Sequence, residues 1–261
     1  MTSLALKSFV RLMPKQGHDE WKGLVREMEL FCREMEYEML KAGHKRAATA
    51  HIGEGDYERT MEKINKDGFV FTPIMKVAES EGHSHIRKKP KEGEPFTWYG
   101  CVTKSHKEGQ DFKKADGGAS NEKPDHKKIG ELLGYPDCCV DYYEKNAREN
   151  YDPIWVKKSG SVEGYPECNR LLRYFGVQIS SHFTCSPKCE NSKKLGEEWL
   201  SLARKKDREL TEKLYELLST EMTWDSYHGV VQIETPYFVG VADTFPYLEK
   251  KRIINWKSVN K

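Results

Sequence analysis

A proline placed two residues before a cysteine recurs three times in the second half of this 261-residue chain, and this pattern constrains the fold most. Residues 134–138 read Gly-Tyr-Pro-Asp-Cys, residues 164–168 read Gly-Tyr-Pro-Glu-Cys, and residues 187–189 read Pro-Lys-Cys. Proline is favoured at the first position of a helix, because an N–H group there would have no partner inside the helix. We therefore predict that each proline begins a helix and that each cysteine lies in its first turn.

A cysteine in the first turn of a helix has an altered thiol. The sulfur lies beside unpaired backbone N–H groups at the positive end of the helix dipole, which lowers the thiol pKa and favours the thiolate. The thiolate is the form that attacks electrophiles and binds metals. We expect this chemistry at Cys138, Cys168 and Cys189.

Further side chains that bind metals lie close in the sequence. Cys139 follows the first of these cysteines, and His182 precedes Cys185 by three residues. Together they exceed the four ligands of a tetrahedral zinc or cubane iron–sulfur site. We predict a thiolate centre with Cys168 and His182 as alternate ligands. The four preferred ligands are Cys138, Cys139, Cys185 and Cys189.

Other interpretations of the seven cysteines stay open. A disulfide framework is disfavoured, because the N-terminal residues lack the apolar stretch and cleavage site of a secretory signal. No Cys-x-x-Cys pair occurs, so the spacing is not that of a zinc ribbon or finger. Free cysteine is also among the most buried residue types. We assign a packing role to Cys32, on the apolar face of a predicted helix, and to Cys101, in a predicted strand.

Composition excludes several classes of protein. The 43 basic and 41 acidic residues leave a net charge of +2, which does not fit a protein that coats nucleic acid. The 13 Tyr, 10 Phe and 6 Trp argue against a disordered chain. No apolar run approaches the ~18 residues of a membrane span, and no glycine-rich phosphate loop follows a strand. We expect a cytoplasmic protein with no membrane partner, for which nucleic acid is a minor alternative.

Helix and strand patterns are mixed without a regular βαβ order, which predicts an α+β fold with a small antiparallel or mixed sheet. Residues 104–128 contain almost nothing apolar, and we predict a mobile basic loop there. The chain then divides into a region of helices and strands at 1–122 and a cysteine-bearing region at 123–261, unless both belong to one compact domain. Helices are predicted at residues 18–42, 57–66, 125–133 and 187–218. Strands are predicted at residues 69–75, 96–102, 177–180, 230–233 and 237–241.

Three further groups of side chains are weaker candidates. His83 and His85 form a His-x-His pair, although their lysine-rich surroundings favour a solvated segment. His126 is a candidate general base if the fold brings it to the thiols. Arg173 and Tyr174 either hold an anionic substrate or serve packing.

The cysteine motifs carry a resemblance to a family. Residues 132–139 read Leu-Leu-Gly-Tyr-Pro-Asp-Cys-Cys, residues 171–176 read Leu-Leu-Arg-Tyr-Phe-Gly, and residues 182–189 run from His182 to the last cysteine. They resemble an uncharacterised family found mainly in archaea, over roughly residues 125–235. That family pairs Leu-Gly-Tyr-Pro-x-Cys-Cys with a segment like His-x-Pro-Cys-Ser-x-x-x-Cys, and this chain has Thr184 in place of the proline. The resemblance implies that the cysteines act together and supplies no reaction.

Two hypotheses of function follow. The first is a cytoplasmic thiolate-rich protein that binds an iron–sulfur cluster or zinc. If it is an enzyme, it performs redox or sulfur-transfer chemistry on a small-molecule or protein substrate. The alternative is a non-enzymatic module that zinc stabilises and that recruits RNA or a protein through its basic segments.

Overall fold

The computed structural model describes residues 10–78, 89–118, 123–147, 159–244 and 252–259. The predicted α+β class with antiparallel and mixed sheets is confirmed. The helices are α1 (Trp21–Lys41), α2 (Tyr57–Lys66), α3 (His106–Asp116), α4 (His126–Leu132), α5 (Asp137–Tyr142), α6 (Glu190–Lys206) and α7 (Arg208–Ser219). The strands are β1 (Val10–Pro14), β2 (Ala47–Gly53), β3 (Val70–Ala78), β4 (Phe96–Thr103), β5 (Gly160–Gly164), β6 (Met222–Asp225), β7 (Val230–Glu234), β8 (Phe238–Asp243) and β9 (Ile253–Ser258).

The described residues pack into two compact units. One lies within Glu36–Asp137, and we call it the 36–137 unit. The other takes in Ser8–Met35 and Cys138–Lys261, and we call it the cysteine unit. These packing units divide the chain differently from the domains predicted at 1–122 and 123–261. Which part folds independently is a separate property, so the domain division stays a prediction.

The 36–137 unit is built on a three-stranded antiparallel sheet with β4 between β2 and β3. On one face of β4, Cys101 belongs to a buried cluster with Phe112 of α3 and Leu132 of α4. On the other face, Val102 belongs to a cluster with Ile64 of α2. Because both faces are covered, β4 reads as a nearly continuous apolar and aromatic run.

The loop prediction for residues 104–128 is wrong in its secondary structure, since α3 lies inside this segment and α4 begins near its end. The Ser105 side chain caps α3 by accepting a hydrogen bond from the N–H of Glu108 at 3.3 Å. Phe112 and Ala115, three residues apart, bury one face of the helix. A serine followed three residues later by glutamate is the sequence pattern of a capping box, and it predicts this helix start.

The cysteine unit is built on a six-stranded sheet in the order β1-β8-β7-β6-β9-β5. Neighbouring strands are antiparallel except for β5, which runs parallel to β9. Trp224 of β6 and Trp256 of β9 are fully buried side chains of this sheet. Trp199 of α6 is also fully buried. The ring of Phe31 in α1 meets Trp199 edge-on, with the ring centroids 6.1 Å apart.

The predicted strand at residues 177–180 is wrong, because this segment is irregular. Arg170 explains the difference: its Nη1 donates to the carbonyl oxygens of Ser180, at 2.6 Å, and of His182. A strand would direct such carbonyls to a neighbouring strand. The buried guanidinium takes the place of that neighbour.

The single helix predicted at residues 187–218 is also wrong, since two helices, α6 and α7, cover this stretch. Asp207 separates them with an extended backbone at φ −150° and ψ 101°. Its carboxylate caps α7 by accepting a hydrogen bond from the N–H of Leu210 at 3.0 Å. An aspartate that caps one helix therefore ends the helix before it.

Across the described ranges, no helix has both the length and the apolar content needed to cross a bilayer.

Candidate metal centre

Four thiols of the cysteine unit meet at one point. The Sγ atoms of Cys138, Cys139, Cys185 and Cys189 all lie within 4.8 Å of one another. The Sγ atoms of Cys138 and Cys139 are 3.9 Å apart, and each lies 3.7 Å from Sγ of Cys189. The structure thus brings the four preferred ligands into one cluster, which can hold a metal ion.

Two helix starts position three of these thiols. Helix α5 begins at Asp137, directly after Pro136, and Cys138 and Cys139 are its second and third residues. Cys189 is the N-cap of α6, and its sulfur accepts a hydrogen bond from the N–H of Ser192 at 3.4 Å. The predicted placement of a thiol in the first turn of a helix is therefore confirmed for Cys138, although α5 begins one residue after Pro136. It is wrong for Cys189, which lies one position before the first turn of α6.

The details of the three proline motifs differ. Pro166 begins a 3₁₀ helix that ends at Cys168, as predicted. Pro187, in contrast, lies outside α6, whose first residue is Glu190. A turn explains this shift, because the N–H of Lys188 donates to the hydroxyl of Ser186 at 3.0 Å and holds the chain away from helical geometry.

Polar hydrogens point at the sulfurs. Cys139 Sγ accepts a hydrogen bond from the backbone N–H of Cys185 at 3.3 Å and lies 3.2 Å from the hydroxyl of Ser192. Cys138 Sγ accepts one from the side-chain amide of Asn191 at 3.5 Å. Such donors stabilise negative charge on sulfur. The sequence interpretation missed Asn191 and Ser192, although short polar side chains directly after a helix-starting cysteine indicate them.

The thiols have unequal acidities. Burial raises the pKa of Cys139, and burial together with the neighbouring thiols raises the pKa of Cys185 to about 12. Burial also acts to raise the pKa of Cys189, but hydrogen bonds with Ser192 and with the thiols of Cys185 and Cys139 outweigh it and lower this pKa to about 7. The cluster by itself therefore favours one thiolate to which its neighbours donate. A bound cation inverts this balance, because coordination removes the protons from the thiols.

The two alternate ligands lie outside the four-sulfur cluster. His182 is buried, with Nε2 at 2.8 Å from the hydroxyl of Ser192 and Nδ1 at 3.0 Å from that of Ser180. Cys168 is fully buried, and its thiol donates to the carbonyl oxygen of Cys189 at 3.7 Å. Neither residue belongs to the four-sulfur cluster. His182 contacts it through Ser192, and Cys168 contacts the backbone of Cys189.

Comparison with known protein families covers the same stretch of chain. Residues 120–219 match the model of a family described as a protein of unknown function, DUF483. This stretch is similar to the DUF483 family, and we call it the 120–219 region. It contains all six predicted ligands, and the resemblance to an uncharacterised family is confirmed. No curated protein and no solved structure matches the chain.

The remaining candidates do not join the centre. Cys32 and Cys101 are buried in α1 and β4, outside the 120–219 region. His126 begins α4 in the 36–137 unit. Arg173 lies over the ring of Tyr174 in a 3₁₀ helix, with 5.8 Å between the guanidinium carbon and the ring centroid. His83 and His85 lie outside the described residues.

Proposed function

We propose that the 120–219 region of this chain binds one zinc ion through Cys138, Cys139, Cys185 and Cys189. The observation that carries this proposal is the separation of the sulfurs. A Zn–S bond is ~2.3 Å long, so the ligands of a regular tetrahedron around zinc stand about 3.8 Å apart. The separations among the Sγ atoms of Cys138, Cys139 and Cys189, which are 3.7, 3.7 and 3.9 Å, match this value.

The same separations favour a single ion over a cubane cluster. In a cubane, each thiolate binds a different iron atom and inorganic sulfide lies between the irons. Its four cysteine sulfurs must therefore stand farther apart than four ligands of one ion. A lone iron ion shares the tetrahedral tetrathiolate geometry, and metal analysis separates it from zinc.

The surroundings suit the charge of such a centre. Zinc with four thiolates carries a net charge of −2, which needs compensation in a partly buried place. The N–H groups of Cys185, Asn191 and Ser192 donate to three of the sulfurs. The N-terminus of α6 adds its positive end, since Cys189 is its N-cap. Donors of this kind orient and stabilise metal-bound thiolates.

Four protein ligands give the ion a structural role. A catalytic zinc site keeps one position open for water or substrate, whereas four thiolates fill a tetrahedron. The ion would tie α5 to the start of α6, although some 45 residues separate the two pairs of ligands in the chain. Redox or sulfur-transfer chemistry at an iron–sulfur cluster is the alternative that the metal content decides.

The test is the metal content of the full chain purified under reducing conditions without chelators. We expect one zinc per chain by mass spectrometry of the elements, and visible bands of a tetrahedral tetrathiolate after exchange with cobalt. Cys139→Ser and Cys189→Ser should lose the metal, whereas the matched controls Cys32→Ser and Cys101→Ser should keep it.

Two results would overturn the proposal. Iron together with acid-labile sulfide would assign a cluster instead. A metal-free preparation in which all seven thiols react as free thiols would exclude a resident metal.

A further inference from the structure

The four cysteine residues differ in their exposure to solvent. Cys139 and Cys189 are buried, whereas Cys138 and Cys185 are partly exposed. We therefore expect a reagent that arrives from solution to react first at the two partly exposed cysteines, Cys138 and Cys185.

Hydrogen bonding distinguishes the two exposed sulfurs. The side-chain amide of Asn191 donates to Cys138 Sγ at 3.5 Å. Among the residues that the structure describes, no N–H group donates to Cys185 Sγ, and the N–H of Cys185 itself is directed at Cys139. A donor stabilises charge on sulfur, and the nucleophilicity of a thiolate falls as it becomes less basic. Exposure thus selects Cys138 and Cys185, and hydrogen bonding distinguishes Cys185 from Cys138.

We propose that Cys185 is a modification site, at which hydroperoxides first oxidise the zinc-loaded centre. This inference rests on the proposed zinc site. Susceptibility to oxidation follows thiolate character and exposure, and Cys185 combines both when zinc holds it as a thiolate. The chemical class of the reactant is a hydroperoxide, ROOH.

The reaction balances in two steps. The Cys185 thiolate attacks one peroxide oxygen, the O–O bond breaks, and a sulfenic acid forms with release of alkoxide, or of hydroxide from hydrogen peroxide, which takes a proton from water. The thiolate of Cys138, within 4.8 Å, then attacks the oxidised sulfur and expels hydroxide to give a disulfide. Two thiolates lose two electrons to the peroxide. The ion loses two of its four ligands and is released.

The experiment uses the full chain with its zinc content measured beforehand. One equivalent of hydrogen peroxide is added, zinc release is followed with a chromogenic chelator, and peptide mass spectrometry locates the oxidised sulfurs over time. We expect Cys185 to be oxidised several-fold faster than the other ligands, with a Cys138–Cys185 disulfide appearing as zinc leaves. Oxidation that begins at another ligand, or that leaves zinc bound, overturns the inference.

A matched variant tests the hydrogen-bond argument by itself. Asn191 is exposed, so Asn191→Ala removes the donor to Cys138 with little effect on packing. In the zinc-loaded variant, alkylation of Cys138 by iodoacetamide should rise several-fold toward the rate of Cys185, whose own rate stays unchanged. An unchanged rate at Cys138 contradicts the argument. A preparation without zinc overturns the proposed function, whereas zinc at one per chain with the wrong order of reactivity overturns this inference alone.

Discussion

Cys101 and Cys139 are equally buried and differ in their neighbours. Each is at most 1% exposed, and burial raises the pKa of both thiols. The Cys101 thiol donates to the carbonyl oxygen of Gly109 at 3.8 Å, among apolar side chains of β4, α3 and α4. Cys139 instead lies beside three other sulfurs and the hydroxyl of Ser192. Burial therefore does not distinguish a packing cysteine from a ligand, and the groups around it do.

The backbones around these two cysteines are held in different ways. Cys101 lies in a central strand that pairs with a neighbour on each side. The segment between β5 and α6 contains only two short 3₁₀ helices and turns, and side chains hold it. Arg170 binds two of its carbonyls, and Asn169 donates to the carbonyl oxygen of Leu218 at 2.9 Å. A metal ion held by the four cysteines would add a strong restraint where the hydrogen bonds of a sheet are missing.

The largest effect should follow loss of the metal. Cys139→Ser, or chelation of the wild-type chain, should lower the free energy of unfolding of the cysteine unit by at least about 5 kcal/mol, since a structural zinc binds with folding. Cys101→Ser should cost only about 1–3 kcal/mol, the cost of a hydroxyl in an apolar site, and should retain zinc. Chemical denaturation with and without chelator measures both changes.

Hydrogen exchange locates the same effect within the chain. Faster exchange should appear in α5 and in the first turn of α6, while β4 stays protected. Equal losses of protection in β4 and α5 would contradict our expectation that the metal stabilises the helices that carry the thiols and not the strand that carries Cys101.

A smaller loss of stability, with zinc retained, should come from a larger side chain at Gly109, whose carbonyl oxygen accepts a hydrogen bond from the Cys101 thiol. A Cβ added at Gly109 would lie 2.0 Å from Oγ1 of Thr72, so Gly109→Ala must displace the packing between α3 and β3. We expect a loss of about 3 kcal/mol from overpacking, with the zinc content unchanged. Gly55→Ala is the matched control in the same unit, because a Cβ there meets nothing within 4 Å. A loss of zinc in Gly109→Ala would show that the two regions are not independent.

Replacing His182, which lies outside the four-sulfur cluster, should have a moderate effect on the affinity for zinc. His182 holds the hydroxyl of Ser192, which contacts Cys139. His182→Gln should still bind zinc, but with an affinity lower by about 10–100-fold, which is the usual effect of removing a group that orients a metal ligand through hydrogen bonds. Competition with a chelator of known affinity measures this, with His126→Gln as the control. Unchanged affinity in His182→Gln would exclude this positioning role.

The smallest effect should come from a residue next to the ligands in sequence. Lys188 lies between Pro187 and Cys189, but its side chain extends into solvent and pairs with Glu163 at 2.9 Å. Exposed ion pairs contribute little, so Lys188→Ala should leave both stability and zinc affinity within error of the wild type. A measurable loss of zinc would mean that sequence proximity to the ligands matters more than contact.

The sequence indicates the centre because its signal is local. Proline-x-cysteine motifs report helix starts within a few residues, and that alone brings Cys138 and Cys189 into consideration. The choice among six candidate ligands depends on distances across the fold. His182 is only three residues from Cys185 in the sequence, a spacing that is compatible with a shared metal ion. Its ring nevertheless contacts the hydroxyl of Ser192.

The errors in the fold have a common physical cause. Residues 177–180 have the composition of a strand, but Arg170, ten residues before Ser180, donates a hydrogen bond to the carbonyl oxygen of that residue. The average composition of residues 104–128 hides α3, because one buried Phe112 and a good cap stabilise a helix that is otherwise polar. Periodicity finds long amphipathic elements such as α1, and tertiary contacts decide short ones.

The parallel pairing of β5 with β9 has a consequence for the order of synthesis. At the end of β5, Gly164 lies so close to Trp256 of β9 that an added Cβ would meet its ring, and the N–H of Tyr165 donates to the carbonyl oxygen of Pro187 at 3.0 Å. All four cysteines leave the ribosome before β9 is made. β5 therefore gains this partner only after every ligand of the proposed metal site has been synthesised.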